Sequence, residues 1–216
     1  MPKRAQYLVL ESSGIKSISD MKGKRVSVGA PGSMGAQHVE EVLEAHGLYR
    51  NKDYKLESLT GASATSALKD GNLDVFAFCA PIPVSYAQDI ASQREIRLVS
   101  VDLEVAKNYV ENNPGYFLDK FPKDAYNNQQ NETEVDGISW TQYWFTKASV
   151  DDDVIYETTK WLFENIEQFH ETHSSIRTVN LDNALDGIYV PLHAGAVRYY
   201  REKGINIPDE LLPPEI

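Results

Sequence analysis

A glycine-rich segment between a predicted strand and a predicted helix is the part of this sequence best suited to bind a ligand. It reads VSVGAPGSMGAQHVEEV, with glycines at positions 29, 32 and 35 and a serine at position 33 that can cap the helix. A strand, a glycine loop and a helix N-terminus in this order direct backbone N–H groups and the positive end of the helix dipole at one point. The segment therefore predicts a site for an anion.

The spacing of the glycines leaves the identity of this anion open. A phosphate-binding loop of the GxxxxGK[ST] type needs a lysine after its last glycine, whereas Gly35 is followed by Ala36 and Gln37. A dinucleotide fingerprint needs GxGxxG, but the segment reads GxxGxxG, although Asp53 is a candidate for a ribose contact. An enzyme that binds a nucleotide or phosphate ligand at residues 29–35 is one alternative, and a glycine-rich turn without a binding role is another.

The sequence does not provide an evident catalytic constellation. It contains no GxSxG elbow, and its histidines are not spaced to suggest a triad. The single cysteine, Cys79, cannot form an internal disulfide and lies in the apolar run LDVFAFCAP, which favours a buried position over a nucleophilic one. His170 and His173 lack a third ligand, so neither a metal nor another cofactor is expected.

Aromatic residues with polar groups follow a polar loop. Tyr126, Trp140, Tyr143 and Trp144 lie within nineteen residues of one another, and residues of this kind line many small-molecule clefts. A core position is the favoured alternative for each, because on a strand Trp140 and Trp144 would face one side and Tyr143 the other.

Composition and charge exclude several classes of protein. The 216 residues include 42% hydrophobic and 25% charged residues, which is typical of an ordinary globular protein and not of a disordered one. The net charge is −11 at pH 7 and no basic run is present, so nucleic acids and anionic membranes are poor candidate partners. No stretch approaches the roughly 20 apolar residues that cross a bilayer, and we expect neither a signal peptide nor direct membrane insertion.

Alternating strand and helix patterns predict an α/β fold. The predicted strands are residues 6–10, 24–29, 54–59, 73–78, 96–101 and 139–147, and the predicted helices are residues 35–46, 63–70, 84–92 and a long acidic helix at about 150–173. The alternation indicates βαβ units around a mostly parallel sheet that is covered on both faces. Pro114, Gly115, Pro122 and the polar run NNQQNETE predict a long loop or a lobe boundary, and the chain beyond the acidic helix is predicted to be helical to about residue 203.

Five segments, in one order along the chain, carry a family resemblance. They are ISDMKGKRVSVGAPGSMGAQHVEEVLEAHGL, ALKDGNLDVFAFCAPIP, IRLVSVD, FPKDAYNNQ and IYVPLHAGAVRYYREKG, and they extend from residue 18 to residue 204. These segments resemble the TAXI family, the TRAP-associated extracytoplasmic immunogenic solute receptors. The resemblance implies a type II periplasmic binding-protein-like fold, in which two α/β lobes with mostly parallel sheets are joined by crossing strands and close over a small ligand.

The resemblance also implies a function, a site and a partner. It implies a non-enzymatic, periplasmic or extracytoplasmic receptor that delivers a small carboxylate or amino acid, such as glutamate, to the membrane permease of a tripartite ATP-independent (TRAP) transporter. The ligand-binding residues that it implies are Pro31, Gly32, Ser33, Met34, Gly35, Cys79, Pro81, Tyr126, Trp140 and Tyr143. The family has GSG where this chain has Gly-Ser-Met-Gly, so Met34 is a departure from the family pattern.

The resemblance further predicts how the chain is divided. Family members carry a signal peptide and roughly a lobe's worth of sequence before the strand at residues 6–10, so we expect the first lobe to be incomplete at the N-terminus. A complete α/β lobe with the glycine loop is expected at residues 12–137, and residues 1–11 and 138–216 are expected to supply crossing strands and the helical part of the other lobe. Few strands remain for those helices to cover, so exposed apolar surface or unpaired strand edges are expected. A truncated chain and one half that pairs with another chain are the alternatives that would explain this. A sensory remnant without a transport role is the remaining alternative.

Overall fold

The computed structural model describes residues 2–141, 143–172, 177 and 179–214. The chain divides into two units, Pro2–Trp140 and Thr141–Ile216. The first unit contains a β-sheet with helices on both faces, and the described residues of the second unit are mainly helices and loops.

Strands and helices alternate along the first unit. Its strands are β1 (Pro2–Leu10), β2 (Arg25–Ser27), β3 (Lys55–Leu56), β4 (Val75–Ala80), β5 (Ile96–Leu98), β6 (Tyr116–Phe121) and β7 (Val135–Thr141). Its helices are α1 (Met34–Ala45), α2 (Gly61–Lys69), α3 (Ser85–Gln93) and α4 (Leu103–Asn112), with 3₁₀ turns at Glu11–Ser13 and Ile18–Met21. The predicted helices at residues 35–46, 63–70 and 84–92 are thereby confirmed to within two residues.

The strands form one mixed sheet. Its order is β3-β2-β4-β1-β7-β6, and β5 also pairs with β1. β2 is parallel to β3 and β4, whereas β1 is antiparallel to β4 and β5, and β6 is antiparallel to β7. The α/β class is confirmed, but the sheet is mixed and not mostly parallel. A βαβ pattern predicts a parallel direction only for two strands that are joined through a crossover helix. β1 and the β6–β7 pair are not joined to their neighbours in this way.

The first strand lies inside this sheet, between β4 and β7. Ala5, Tyr7 and Val9 are buried on one face, and Gln6 and Leu8 are buried on the other. Residues 2–10 therefore group with the sheet of the first unit, whereas we expected residues 1–11 to belong with the C-terminal part of the chain.

Helices cover both faces of the sheet. α1 and α4 pack over a core that includes Tyr7, Val39 and Ala106. α2 and α3 pack over a second core that includes Leu68 and Ile90. Because side chains alternate along a strand, each central strand contributes to both cores, and the sheet separates whatever binds on one face from the other.

A helix and a strand that the sequence did not predict lie at residues 103–121, and the strand falls within the predicted loop or lobe boundary. Asp102 is the N-cap of α4, and its carboxylate accepts hydrogen bonds from the backbone N–H groups of Glu104 and Val105 at 3.0 and 3.1 Å. β6 then pairs along its whole length with β7. Pro114 and Pro122 lie just outside β6, so they delimit this strand and do not interrupt it.

The predicted strand at residues 139–147 ends earlier in the structure. β7 stops at Thr141, and residues 143–147 have no regular secondary structure. Gln142 lies outside the described residues. Trp144 and Phe145 are 78% and 87% exposed, so alternation along a strand was the wrong pattern for them.

The second unit contains α5 (Asp152–Glu164), α6 (Ile166–Thr172), α7 (Ala194–Glu202) and a 3₁₀ turn at Asp209–Leu211. α5 and α7 pack together, and the buried ring of Tyr199 stacks on Phe163 with centroids 6.0 Å apart. The predicted long acidic helix is two helices that meet at Asn165, and residues 179–193 are not helical, so the prediction of helix to residue 203 holds only for α7. In the described residues, no helix is both long and apolar enough to cross a membrane.

Candidate functional site

The glycine loop joins the end of β2 to the start of α1. Gly29 and Gly32 have φ values of 95° and 75°, a left-handed conformation that residues with a Cβ atom avoid. The turn is closed by a backbone hydrogen bond of 3.1 Å from Ser33 to Ala30. Ser33 is the N-cap of α1, and its Oγ accepts a hydrogen bond of 3.1 Å from the backbone N–H of Ala36. The loop therefore fixes where the helix begins.

The first turn of α1 offers two backbone N–H groups to a ligand. The Ser33 side chain satisfies the N–H of Ala36, and its carbonyl oxygen accepts from the N–H of Gln37 at 3.1 Å. In the part of the chain that the structure describes, the N–H groups of Met34 and Gly35 have no acceptor. Such groups at a helix start carry the positive end of the helix dipole and bind anions.

Met34 does not fill this helix start with its side chain. It is the first residue of α1, and its side chain is 71% exposed. The departure from the family pattern at this position therefore leaves the backbone of the first turn accessible in the described residues.

Cys79 holds the first turn of α1 against the end of β4. Its Sγ donates a hydrogen bond of 3.2 Å to the carbonyl oxygen of Gly35. A Cβ atom on Gly35 would lie 3.4 Å from the Cβ of Cys79, so the glycine permits this close approach. Burial raises the pKa of the Cys79 thiol well above its ordinary value, and the nearby charge of Lys3 opposes this shift. Cys79 is therefore a neutral contact and not an activated nucleophile.

Lys3 contributes positive charge to the same edge of the sheet. Ala5 lies opposite Cys79 in the β1–β4 ladder, and Lys3 shares the face of Ala5 because residues two positions apart point the same way. This is the face that α1 covers. The Lys3 side chain is half-buried, and no carboxylate pairs with its ammonium group among the described residues.

Pro31 and Gly32 line a small cavity of about 60 Å³ beside the loop. The complete lining is Val28, Gly29, Pro31, Gly32, Ala36, Glu40, Arg50, Leu56 and Ser58. The guanidinium of Arg50 lies 3.3 Å from the carboxylate of Glu40, so its charge is already paired. Arg50 is therefore a second cationic side chain near the loop, but a ligand would compete with Glu40 for its charge.

A larger cavity of about 290 Å³ lies at the other end of β1 and is not part of this site. It is lined by Lys16, Arg97, Leu98, Ser100, Asn131, Glu132, Thr133 and Glu134. Arg97 already pairs with Glu11 at 2.7 Å, and the Asn131 side chain bonds both backbone groups of Leu98. Its main polar groups thus hold strands together.

Trp140 lies on the same face of the sheet as α1. Its half-buried indole packs against the imidazole of His38, one turn along α1 from Met34, with ring centroids 4.2 Å apart. The structure therefore brings Trp140 to the helix that carries the glycine loop, through its contact with His38.

Tyr126 is part of the opposite core. Its hydroxyl donates a hydrogen bond of 2.8 Å to Oε1 of Gln6, and Gln6 donates through Nε2 to the carbonyl of Ala80 at 3.1 Å. Burial raises the pKa of Tyr126. Gln6 and Ala5 point to opposite faces of β1, so the Tyr126 hydroxyl is separated by the sheet from the face of Cys79.

Pro81 and Tyr143 are the two remaining predicted site residues. Pro81 is half-buried in the loop after β4, next to the cis Ile82–Pro83 bond. Tyr143 belongs to the second unit, where its ring meets that of Tyr189 edge to face at 6.0 Å.

Sequence reasoning did not select Lys3, His38 or Arg50 as site residues. The position of Lys3 could have been inferred from strand alternation, because Lys3 lies two residues before the buried Ala5 and therefore points to the same face of β1. His38 and Arg50 reach the loop region only through tertiary contacts. In the described residues, no group of three or more His, Cys, Asp and Glu side chains could hold a metal ion, and His173 lies outside those residues.

The described residues thus form an α/β protein in which α1 begins with two backbone N–H groups that have no acceptor. The chain belongs to the NMT1-like family, which it matches over residues 1–204.

Several solved structures are similar to this chain. The periplasmic aliphatic sulphonate binding protein SsuA from Escherichia coli is 16% identical, with a TM-score of 0.45, over 96% of this chain and 63% of that protein. A periplasmic sulfonate-binding protein SsuA from Methylobacillus flagellatus KT is 17% identical, with a TM-score of 0.48, over 93% and 58%. An ABC uptake transporter substrate binding protein from Streptococcus pneumoniae with bound histidine is 16% identical, with a TM-score of 0.37, over 86% and 55%. The chain spans less than two thirds of the length of each of these proteins.

Proposed function

We propose that this protein is a non-enzymatic solute-binding receptor that holds the anionic group of a small carboxylate or amino acid at the N-terminus of α1. The observation that carries the proposal is the pair of unpartnered N–H groups of Met34 and Gly35, at a helix start fixed by the Ser33 cap. Two adjacent donors match the two oxygens of a carboxylate, and hydrogen bonds to a charged acceptor are stronger than neutral ones. The half-buried charge of Lys3 on the same face adds to the attraction.

The receptor belongs, in this proposal, to a TRAP transporter of the TAXI type, and it passes its ligand to a membrane permease outside the cytoplasm. The five segments that resemble TAXI receptors support this, as does membership of the NMT1-like family. Glutamate is the first ligand to test. Binding of this kind needs no general base or nucleophile, which agrees with a neutral, half-buried Cys79 at the site.

The first experiment is a thermal-shift screen of the whole chain with L-glutamate, L-glutamine, succinate, methanesulfonate and ATP. A ligand that binds only the native state raises the unfolding temperature. A shift with L-glutamate, L-glutamine or succinate is expected. A shift with ATP alone would contradict the receptor and favour a nucleotide-binding enzyme.

Met34→Pro then tests the place of binding. Proline is tolerated at the first position of a helix, and the backbone of Ser33, with φ −78° and ψ 148°, suits a residue before proline. The substitution therefore removes one N–H donor and keeps the helix. Loss of one hydrogen bond to a charged group should weaken binding roughly 10- to 100-fold. Met34→Ala keeps the N–H and should bind as the wild type does; equal affinity in Met34→Pro would mean that the anion is not held here.

A further inference from the structure

His38 lies on α1, one turn from the helix start, and is enclosed by aromatic rings. Its imidazole packs at 4.2 Å from the ring of Trp140 on β7 and at 5.1 Å, edge to face, from the ring of Tyr116 on β6. The side chain is only 12% exposed. His38 thus connects the helix that carries the glycine loop to two strands of the sheet.

One ring nitrogen of His38 faces a carboxylate with several donors. Nδ1 lies 3.4 Å from Oε2 of Glu41 on α1, and the same oxygen accepts hydrogen bonds from the hydroxyls of Tyr109 on α4 at 3.1 Å and of Tyr116 at 3.0 Å. A carboxylate oxygen carries no hydrogen and can only accept, so it favours a protonated Nδ1 and disfavours a lone pair at that atom. The neutral tautomer therefore carries its proton on Nδ1 and leaves Nε2 as an acceptor.

The other nitrogen of His38 is buried without a partner. Nε2 makes no hydrogen bond in the described part of the chain and is closed off from solvent. Protonation would turn this atom into a charged donor with no acceptor, which is more costly than an unused lone pair. The groups that face the imidazole are Glu41 from its own helix, Tyr116 from β6 and the non-titrating Trp140 from β7, while Tyr109 from α4 reaches it only through Glu41.

We propose that His38 is a positioning residue that acts as a pH-sensitive latch, holding α1 against β6 and β7 when neutral and loosening this contact when protonated. Because α1 carries the N–H groups of Met34 and Gly35, loosening the helix also weakens the anion site; this second part rests on the proposed function. Burial lowers the pKa of His38, and the Glu41 carboxylate only partly opposes that shift.

The direction of the pH effect follows from linkage. The pKa of His38 is lower in the folded chain than the ordinary value of about 6.5, so the unfolded chain binds the proton more readily. The stability that neutral His38 contributes is therefore complete above about pH 6.5 and is lost as the pH falls toward the lower folded-state pKa. Each unit by which the pKa is lowered corresponds to about a tenfold change in the folding equilibrium.

The test compares unfolding of three full-length chains between about pH 7.5 and about pH 5.5. His38→Gln keeps a donor for Glu41 but does not titrate. His170→Gln is the matched control, because it also replaces one imidazole with an amide, but both ring nitrogens of His170 have partners, Glu167 at 3.7 Å and the carbonyl of Val179 at 2.8 Å. We expect the fall in the urea midpoint on acidification to be smaller in His38→Gln than in the wild type, and unchanged in His170→Gln. An equal fall in all three chains would overturn the latch.

Two further measurements separate the latch from the receptor function. With Trp144→Phe and Trp161→Phe as background, since both indoles are largely exposed, the remaining tryptophan is Trp140. Its fluorescence should decrease on acidification as the adjacent imidazole becomes charged, and this decrease should disappear with His38→Gln; a decrease that persists would overturn the latch. The affinity for L-glutamate should decrease in the wild type as the pH is lowered, and it should decrease much less in His38→Gln. If the wild type binds none of the screened anions at any pH, the proposed function fails, and the stability and fluorescence titrations still decide on the latch.

Discussion

Replacing Tyr126 with phenylalanine tests whether this residue belongs to a ligand site, as the family resemblance implies, or to the core. Tyr126 and its partner Gln6 are only 4% and 1% exposed. The hydroxyl donates to Oε1 of Gln6 at 2.8 Å, and Gln6 uses its amide N–H to bond the carbonyl of Ala80 at 3.1 Å. The substitution keeps the ring in its pocket and removes only the hydroxyl.

The expected cost follows from what the hydroxyl leaves behind. Oε1 of Gln6 has no other donor in the described part of the chain, so Tyr126→Phe buries an acceptor without a partner. Leaving such a group unsatisfied costs about 1–3 kcal/mol. For a chain of this length, about 3 °C of unfolding temperature corresponds to each kcal/mol, so the midpoint should fall by roughly 3–9 °C.

Thermal unfolding followed by circular dichroism measures this change, and titration with L-glutamate measures binding in parallel. Tyr49→Phe is the control, because the Tyr49 ring is 46% exposed and its hydroxyl makes no hydrogen bond in the described residues; its effect should stay within about 0.5 kcal/mol. An unchanged midpoint together with weaker L-glutamate binding in Tyr126→Phe would refute the core assignment and return Tyr126 to the ligand site.

Two further expectations concern packing and reactivity. Gly195→Ala should destabilise the second unit by about 1–3 kcal/mol or more, because the added Cβ would overlap the backbone oxygen of Asp152 and lie 2.8 Å from the backbone nitrogen of Tyr156. Calorimetry should show a lower unfolding temperature. The control is Arg201→Ala, at the exposed end of α7, which should leave the unfolding temperature unchanged. Cys79 should react more slowly with iodoacetamide in the native chain than in urea, because partial burial raises the pKa of its thiol. Equal rates by intact mass spectrometry would count against a neutral thiol at this contact.

Local chemistry made the start of α1 predictable from the sequence. Ser33 is a good N-cap, Gly29 and Gly32 supply the left-handed turn before it, and an apolar stripe follows. Each of these signals lies within a few residues of the others, so no knowledge of the rest of the fold was needed. The same holds for the helices α2 and α3.

Contacts between distant segments were not predictable in this way. The hydrogen bond from Cys79 to Gly35 depends on the pairing of β2 with β4. The packing of Trp140 on His38 depends on the strand order β4-β1-β7, which crossover patterns do not fix. The helix α4 was missed because its buried surface is small, with Ala106 its one buried residue, so its apolar pattern is weak. Prolines that delimit β6 were taken as breaks because their position relative to the strand depends on pairing with β7.

The acidic charge of the chain explains why the proposed anion site has to work at short range. A net charge of −11 repels an anion, but beyond about 8 Å this repulsion is screened at physiological ionic strength. Inside that distance the N–H groups of Met34 and Gly35 act directly, and Lys3 adds a positive charge on the same face of the sheet, whereas the guanidinium of Arg50 is already paired with Glu40. Composition therefore argues against an extended polyanion, which would need many contacts at once, but it does not argue against one small carboxylate at a single helix start.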